Sequence, residues 1–260
     1  MNINLSGKSA LVTGASRGIG RAAALALAQV GADIIVTARS ASELESLVQE
    51  IQTLGKRAIA LPCDLSDFAN LAGVVSRGMA EFGHLDILVN NAGITEGVKF
   101  THMDYELWQK IQRINVDAAM KLMQLTIDGM VSQGWGRIVN IASIAAKAGL
   151  RYSAAYNASK HALLGLTRSV ALDYANKHVT VNAVCPGWVH TEMLEQTLQN
   201  IEQKTGKSRA EAIASLVKDV PLGRVISSEE VAALVVFLCS EQAAAITGQG
   251  INIDGGTVMS

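Results

Sequence analysis

The stretch S-A-L-V-T-G-A-S-R-G-I-G, from Ser9 to Gly20, limits what this chain can become more than any other. A strand-like run at Ala10 to Thr13 meets a glycine-rich turn, and the alanine- and leucine-rich segment Arg21 to Val30 then reads as a helix. Gly14, Gly18 and Gly20 let the backbone turn sharply and approach a ligand with no Cβ in the way. The free N–H groups and partial positive charge at the start of the following helix suit a pyrophosphate. The spacing is G-x-x-x-G-x-G, not the commoner G-x-G-x-x-G. Taken alone, the turn is also compatible with a plain strand-to-helix connection that binds nothing.

The rest of the chain repeats this unit. Short apolar runs near Ala10–Thr13, Asp33–Ala38, Ala58–Pro62, Ile87–Asn90, Arg137–Ile141, Thr180–Ala183 and Gly250–Ile253 read as seven strands covered on both faces. Helical stretches separate them. Ser40 with Glu43 and Ser227 with Glu230 read as capping boxes. Leu107, Ile111, Ile114, Ala118, Leu122 and Leu125 recur at three- and four-residue steps, predicting one continuous apolar helix face. Repeated strand–helix units imply a doubly wound α/β fold with right-handed crossovers and a ligand site beyond the carboxyl ends of the strands. Gly14, Asn91, Ser143 and Pro186 all fall at or just past predicted strand ends. With 260 residues, no repeat and no low-complexity linker, one domain over 1–260 is expected.

A second cluster carries chemistry. Ser143 precedes Tyr156 by thirteen positions, and Lys160 follows Tyr156 by four in a helical stretch, so the phenol and the amine share a helix face. An adjacent ammonium favours phenolate, and a hydroxyl from a strand end adds a hydrogen bond to the same reacting oxygen. That set suits proton transfer at a carbonyl or an alcohol. Y-x-x-x-K alone also describes an ordinary surface pair. Tyr152 is a poorer candidate, being eight residues from Lys160.

Several function classes are disfavoured. A net charge of -1 argues against nucleic acid and membrane surfaces as partners. Cys63, Cys185 and Cys239 form no C-x-x-C pair and read as reduced, buried thiols. The five histidines show no metal spacing, so no metal is expected. Met1 to Gly7 has neither a basic start nor an apolar run, and no uncharged stretch reaches spanning length. A cytoplasmic location is the expectation.

In order along the chain stand T-G-A-S-R-G-I-G, C-D-L-S-D, N-N-A-G, I-N-V, the Ser–Tyr–Lys set, C-P-G and I-D-G-G. Together they resemble the short-chain dehydrogenase/reductases, from about Leu5 to Gly256, with 3-oxoacyl-(acyl-carrier-protein) reductases and related ketoreductases the nearest in pattern. The resemblance implies a Rossmann-like, doubly wound, seven-stranded parallel sheet with helices on both faces and a small helical lid at 191–217. It implies catalysis by Ser143, Tyr156 and Lys160, with Asn115 holding a water that links Lys160 to solvent. It implies a dinucleotide held by Gly14, Ser16, Arg17, Gly18, Ile19, Gly20, Arg39, Asp64, Leu65, Asn91, Ala92, Gly93, Tyr156, Lys160, Pro186, Gly187, Val189 and Thr191. Asp64 would accept from the adenine amino group, and Lys160 would also hold the nicotinamide ribose. A homotetramer is the family expectation.

Cofactor choice follows from charge. An NAD site usually has an acid after the second strand; here Ala38 stands at that place and Arg39 follows. Arg39, with Arg17 nearby, suits a 2′-phosphate, so NADP(H) is preferred over NAD(H). The substrate pocket is expected to include Ser143, Ile144, Leu150, Tyr156 and Trp188. Met193, Leu194, Leu198 and Ile201 face either that pocket or only the core. Thr95, Ala145 and Ser153 occupy places where hydroxybutyrate dehydrogenases clamp a small carboxylate, and none is cationic, which disfavours a free short keto acid. Lys147 and Arg151 are candidates to meet a phosphopantetheine or coenzyme A at the rim. The reading is an NADPH-dependent ketoreductase for a 3-oxoacyl thioester or similar hydrophobic ketone. The alternatives are a secondary-alcohol or 3-hydroxyacid dehydrogenase, or a catalytically silent nucleotide-binding regulator.

Overall fold

The computed structural model describes residues 3–259. Its strands are β1 (Ser9–Thr13), β2 (Asp33–Thr37), β3 (Ala58–Ala60), β4 (Ile87–Asn90), β5 (Gly136–Ile141), β6 (Val179–Pro186) and β7 (Gly250–Ile253). They form one parallel sheet in the order β3-β2-β1-β4-β5-β6-β7. The order reverses between β1 and β4, so their carboxyl ends diverge and open a crevice there.

The helices are α1 (Gly18–Gln29), α2 (Ala41–Thr53), α3 (Phe68–Phe82), α4 (Tyr105–Gln112), α5 (Ala118–Gln133), α6 (Ala154–Tyr174), α7 (Glu192–Thr205), α8 (Arg209–Val217) and α9 (Ser228–Cys239). Alternation along each strand divides the apolar residues between two layers. Ala10, Val12, Ile34, Val36, Ile87 and Val89 pack in one layer with Leu27, Leu44, Leu47 and Val235, from α1, α2 and α9. Leu11, Ile35, Leu88 and Ile138 pack in the other with Leu71, Leu122 and Ala171, from α3, α5 and α6. This double burial explains why the strands read as unbroken apolar runs.

Three sequence expectations change. β6 runs on to Pro186, because Ala183 to Pro186 pair with β7. The Ser40–Glu43 capping box does not form; Ser40 makes no side-chain cap bond, and the Glu43 carboxylate lies 4.0 Å from the Arg17 guanidinium instead. Ser227 and Glu230 do form their box, and so do Ser208 and Glu211, which the sequence reading passed over. The continuous apolar face from Leu107 to Leu125 is broken, because residues Arg113–Asp117 make a π turn between α4 and α5. The wider turn shifts the buried face: Ile111 is buried before it and Asn115 within it, then Ala118, Ala119, Leu122, Met123, Thr126, Ile127 and Met130 after it.

Candidate active site

The glycine-rich turn is built by close approach. Gly14 and Gly18 have φ of 62° and 56°, a region glycine enters without strain. A Cβ on Gly20 would lie 2.4 Å from both Asn91 Nδ2 and the Gly14 oxygen. Asn91 donates from Nδ2 to the Thr13 and Gly14 oxygens at 2.9 and 3.1 Å, clamping the end of β4 onto this turn. Thr13, which sequence reasoning missed, takes part from the other side. Its Oγ1 accepts from the Asn91 and Ala92 N–H groups at 3.0 and 3.1 Å.

At the end of β5, Ser143 caps the short turn Ile144–Ala146, its Oγ accepting from the Ala145 N–H at 3.1 Å. That bond leaves the hydroxyl proton free, and Ser143 lies close enough to the Tyr156 phenol to favour its charged form. Tyr156 and Lys160 project from the first two turns of α6. Lys160 is 3% exposed; its Nζ lies 5.6 Å from the centre of the Tyr156 ring and donates to the Ile141 oxygen at 2.8 Å.

The electrostatics differ from the sequence expectation. Burial pushes the Tyr156 phenol above its usual range, and the neighbouring Ser143 hydroxyl, not the amine, is what opposes the shift. Burial also brings the Lys160 ammonium down to about 8. Desolvation penalises each charged form more than the neighbouring group rewards it. Burial therefore favours the protonated phenol, the form that donates a proton.

Asn115 is buried in the π turn. Its Oδ1 accepts from the Ile94 N–H at 2.8 Å, while Nδ2 donates to the Ile94 oxygen at 3.0 Å and to Ser159 Oγ at 3.0 Å. The side chain is thus committed to the segment after N-N-A-G and to α6. A Cβ on Gly93 would fall 3.3 Å from Asn115 Oδ1 and 3.4 Å from Lys160 Nζ, so the three residues converge.

Ser143, Tyr156, Lys160 and the glycine-rich turn line one cleft of about 1140 Å³, whereas Asn115 lies buried behind it and does not line it. Of the proposed dinucleotide contacts, Gly14, Arg17, Gly18, Ile19, Arg39, Asp64, Leu65, Asn91, Ala92, Gly93, Tyr156, Lys160, Pro186, Gly187, Val189 and Thr191 line it. Ser16 and Gly20 do not; Gly20 is needed for packing behind the turn. Asp64 accepts from the Ser66 N–H at 2.9 Å and its hydroxyl at 2.8 Å, which hold its carboxyl below the usual range. Ser143, Ile144, Leu150, Tyr156 and Trp188 all reach the cleft, as do Thr95 and Ser153; Ala145 is fully buried away from it.

Helix α7 lines this cleft, with α8 packed against it. Met193, Leu194 and Ile201 line it, whereas Leu198 is buried against Ala212 and Val225, so the apolar face of α7 serves both purposes. Lys147 is not at the rim, since its Nζ donates to the Gly250 oxygen at 2.6 Å. Arg151 does line the cleft, joined by Lys99, Lys110 and Lys204, which the sequence reading did not single out. Isolated lysines carry no spacing signal; only the fold gathers them.

A doubly wound parallel sheet with a glycine-rich turn, a serine, a tyrosine and a lysine on one strand-end cleft defines a Rossmann-type oxidoreductase. A family model described as enoyl-(acyl carrier protein) reductase matches residues 14–258. The 3-oxoacyl-(acyl-carrier-protein) reductase of Aquifex aeolicus is 37% identical over 257 residues, 98% of this chain and 99% of that protein. A D-beta-hydroxybutyrate dehydrogenase of Rhizobium meliloti is 34% identical over 252 residues, 96% of this chain and 98% of that one. The solved structure of an actinorhodin polyketide ketoreductase variant with NADPH aligns at TM-score 0.92 and 36% identity, covering 96% of this chain and 97% of its own. The chain belongs to the short-chain dehydrogenase/reductase family.

The residues present fit a dinucleotide. The turn at Gly14 and Gly18 exposes backbone where a Cβ would not be tolerated, and the cleft runs without a break from Arg39 and Asp64 to Ser143 and Tyr156.

Proposed function

We propose that this protein is an NADPH-dependent ketoreductase acting on a 3-oxoacyl thioester or a similar hydrophobic ketone. The observation that carries the reading is that Ser143, Tyr156 and buried Lys160 meet inside the cleft that also contains the glycine-rich turn. Tyr156 is the proton donor to the ketone oxygen, and burial keeps it protonated until substrate arrives. Ser143 donates to the same oxygen as charge develops there. Lys160, anchored by the Ile141 oxygen, places positive charge beside the phenol and toward the dinucleotide ribose. Asn115 holds the segment at Ile94 against this group. The nicotinamide, when bound, supplies the hydride.

NADP(H) is favoured because Ala38 lines the cleft where an NAD site needs an acid, with Arg39 and Arg17 beside it. An acyl thioester on a phosphorylated arm is favoured by Lys99, Lys110, Arg151 and Lys204 in the cleft, none of which forms an ion pair among the described residues. A second reading, oxidation of a 3-hydroxyacid, is favoured by the similarity to a hydroxybutyrate dehydrogenase. We also read residues 1–260 as one domain, cytoplasmic and homotetrameric. No helix among the described residues is long and apolar enough to cross a membrane.

Tyr156→Phe tests the chemistry. Turnover of a 3-oxoacyl thioester with NADPH should fall about 100- to 10,000-fold, while NADPH affinity by fluorescence titration changes little. Near-normal turnover in that variant, or none in the parent enzyme across a broad panel of ketones and alcohols, would overturn the reading.

A further inference from the structure

Arg17 is engaged by two carboxylates. Its Nε lies 2.6 Å from Glu192 Oε2, and its terminal nitrogen 4.0 Å from Glu43 Oε1. Glu192 is the first residue of α7 and lines the cleft together with Arg17. The same two segments run close together: a Cβ added to Gly18 would lie 3.0 Å from Thr191 Cγ2. Thr191 is also the N-cap of α7, its Oγ1 accepting from the Leu194 N–H. The base of the covering helix and the phosphate-binding turn are therefore joined by an ion pair that spans the cleft. A 2′-phosphate delivered there carries the same charge as Glu192 and seeks the same guanidinium.

We propose that Glu192 sets the affinity for NADP(H) by competing with the 2′-phosphate for Arg17, so that dinucleotide binding releases the first turn of α7. The proposal rests on the NADP(H) reading above. Glu192 is a specificity-determining residue in this account, acting through Arg17. The pair is half-exposed, with Arg17 at 54% and Glu192 at 46% side-chain exposure. Such pairs are modest in water, which sets the expected effect at roughly two- to fivefold in Kd.

Fluorescence titration with NADPH and NADH, on the parent enzyme and on E192Q, R17Q and the double variant, tests it. Glu192→Gln should tighten NADPH by about two- to fivefold, with a smaller change for NADH. The gain should vanish when Arg17→Gln is already present. Hydrogen exchange on the ligand-free proteins gives an independent readout. Amides in the first turn of α7 should exchange faster in both single variants than in the parent, and NADPH should produce that rise in the parent alone. Arg17→Gln guards against a trivial loss of helix stability, because it leaves Glu192 at the positive end of the helix dipole. An unchanged or weaker NADPH affinity in E192Q, with NADPH still preferred by the parent, overturns this inference alone. The same gain in the R17Q background also overturns it. Preference of the parent for NADH overturns both this inference and the cofactor reading beneath it.

Discussion

Lys160 is the residue at which function and stability conflict most directly. It is 3% exposed, and burial lowers its amine from 10.5 to about 8. The sign follows from proton counting. Between about 8 and 10.5 the unfolded chain holds a proton that the folded chain has released, so stability rises with pH across that window. Below it, folding carries the cost of a buried ammonium, on the order of 3 kcal/mol. Lys160→Met should therefore flatten the rise in unfolding free energy between pH 8 and pH 10.5, as measured by denaturant titration, while abolishing turnover. An unchanged pH slope in that variant would show that the amine is not desolvated as described. The juxtaposition of Tyr156 and Lys160 was legible in the sequence, because a phenol and an amine four residues apart must share a helix face. Their electrostatic balance was not legible. Direct attraction between amine and phenol can be inferred from spacing, whereas desolvation depends on everything packed around them.

At the scale of elements, the glycine-rich turn works only because β4 delivers Asn91 onto it. The amide of Asn91 bonds the Thr13 and Gly14 oxygens, and α1 passes so close that a Cβ on Gly20 would collide with Asn91 Nδ2. Gly20→Ala should cost about 1–3 kcal/mol by overpacking and should weaken NADPH binding even though residue 20 does not line the cleft. Thermal unfolding and fluorescence titration check the two effects, and full stability with full affinity would refute the clamp. The strands and most helices were legible because doubly buried strands leave apolar runs and covering helices leave periodic ones. The π turn at Arg113–Asp117 was not, since the apolar spacing from Leu107 to Leu125 fits an unbroken helix equally well. What breaks it is tertiary: Asn115 satisfies both backbone groups of Ile94 and also reaches Ser159. The Ser40–Glu43 capping box failed for a related reason. Its glutamate has an arginine within reach from another element, 26 residues away in sequence.

The whole molecule separates its tasks between the two ends of the sheet. The carboxyl ends of the strands carry the cleft, and the amino ends carry a compact cluster of charge and aromatic rings. There Lys8 and Arg137 sit 3.9 and 4.3 Å from the centre of the Trp135 ring. Asp86 accepts from the Ser9 N–H at 2.9 Å and pairs with Lys8 at 3.2 Å. Arg137 is 3% exposed, and burial lowers its guanidinium from its usual range, opposed first by Glu241. Glu241 lies 3.6 Å from Arg137 NH2 and accepts from the Trp135 indole N–H. Removing that carboxylate leaves a buried cation with less compensation, and no cleft residue is touched. Glu241→Ala should thus lower stability by about 1–3 kcal/mol, a fall of roughly 2–12 °C in Tm for a chain of this size. NADPH affinity and kcat/KM should remain at parent values. A loss of activity comparable to the loss of stability would mean that the two ends of the sheet are coupled, and that the cleft is not held by its own clamps alone.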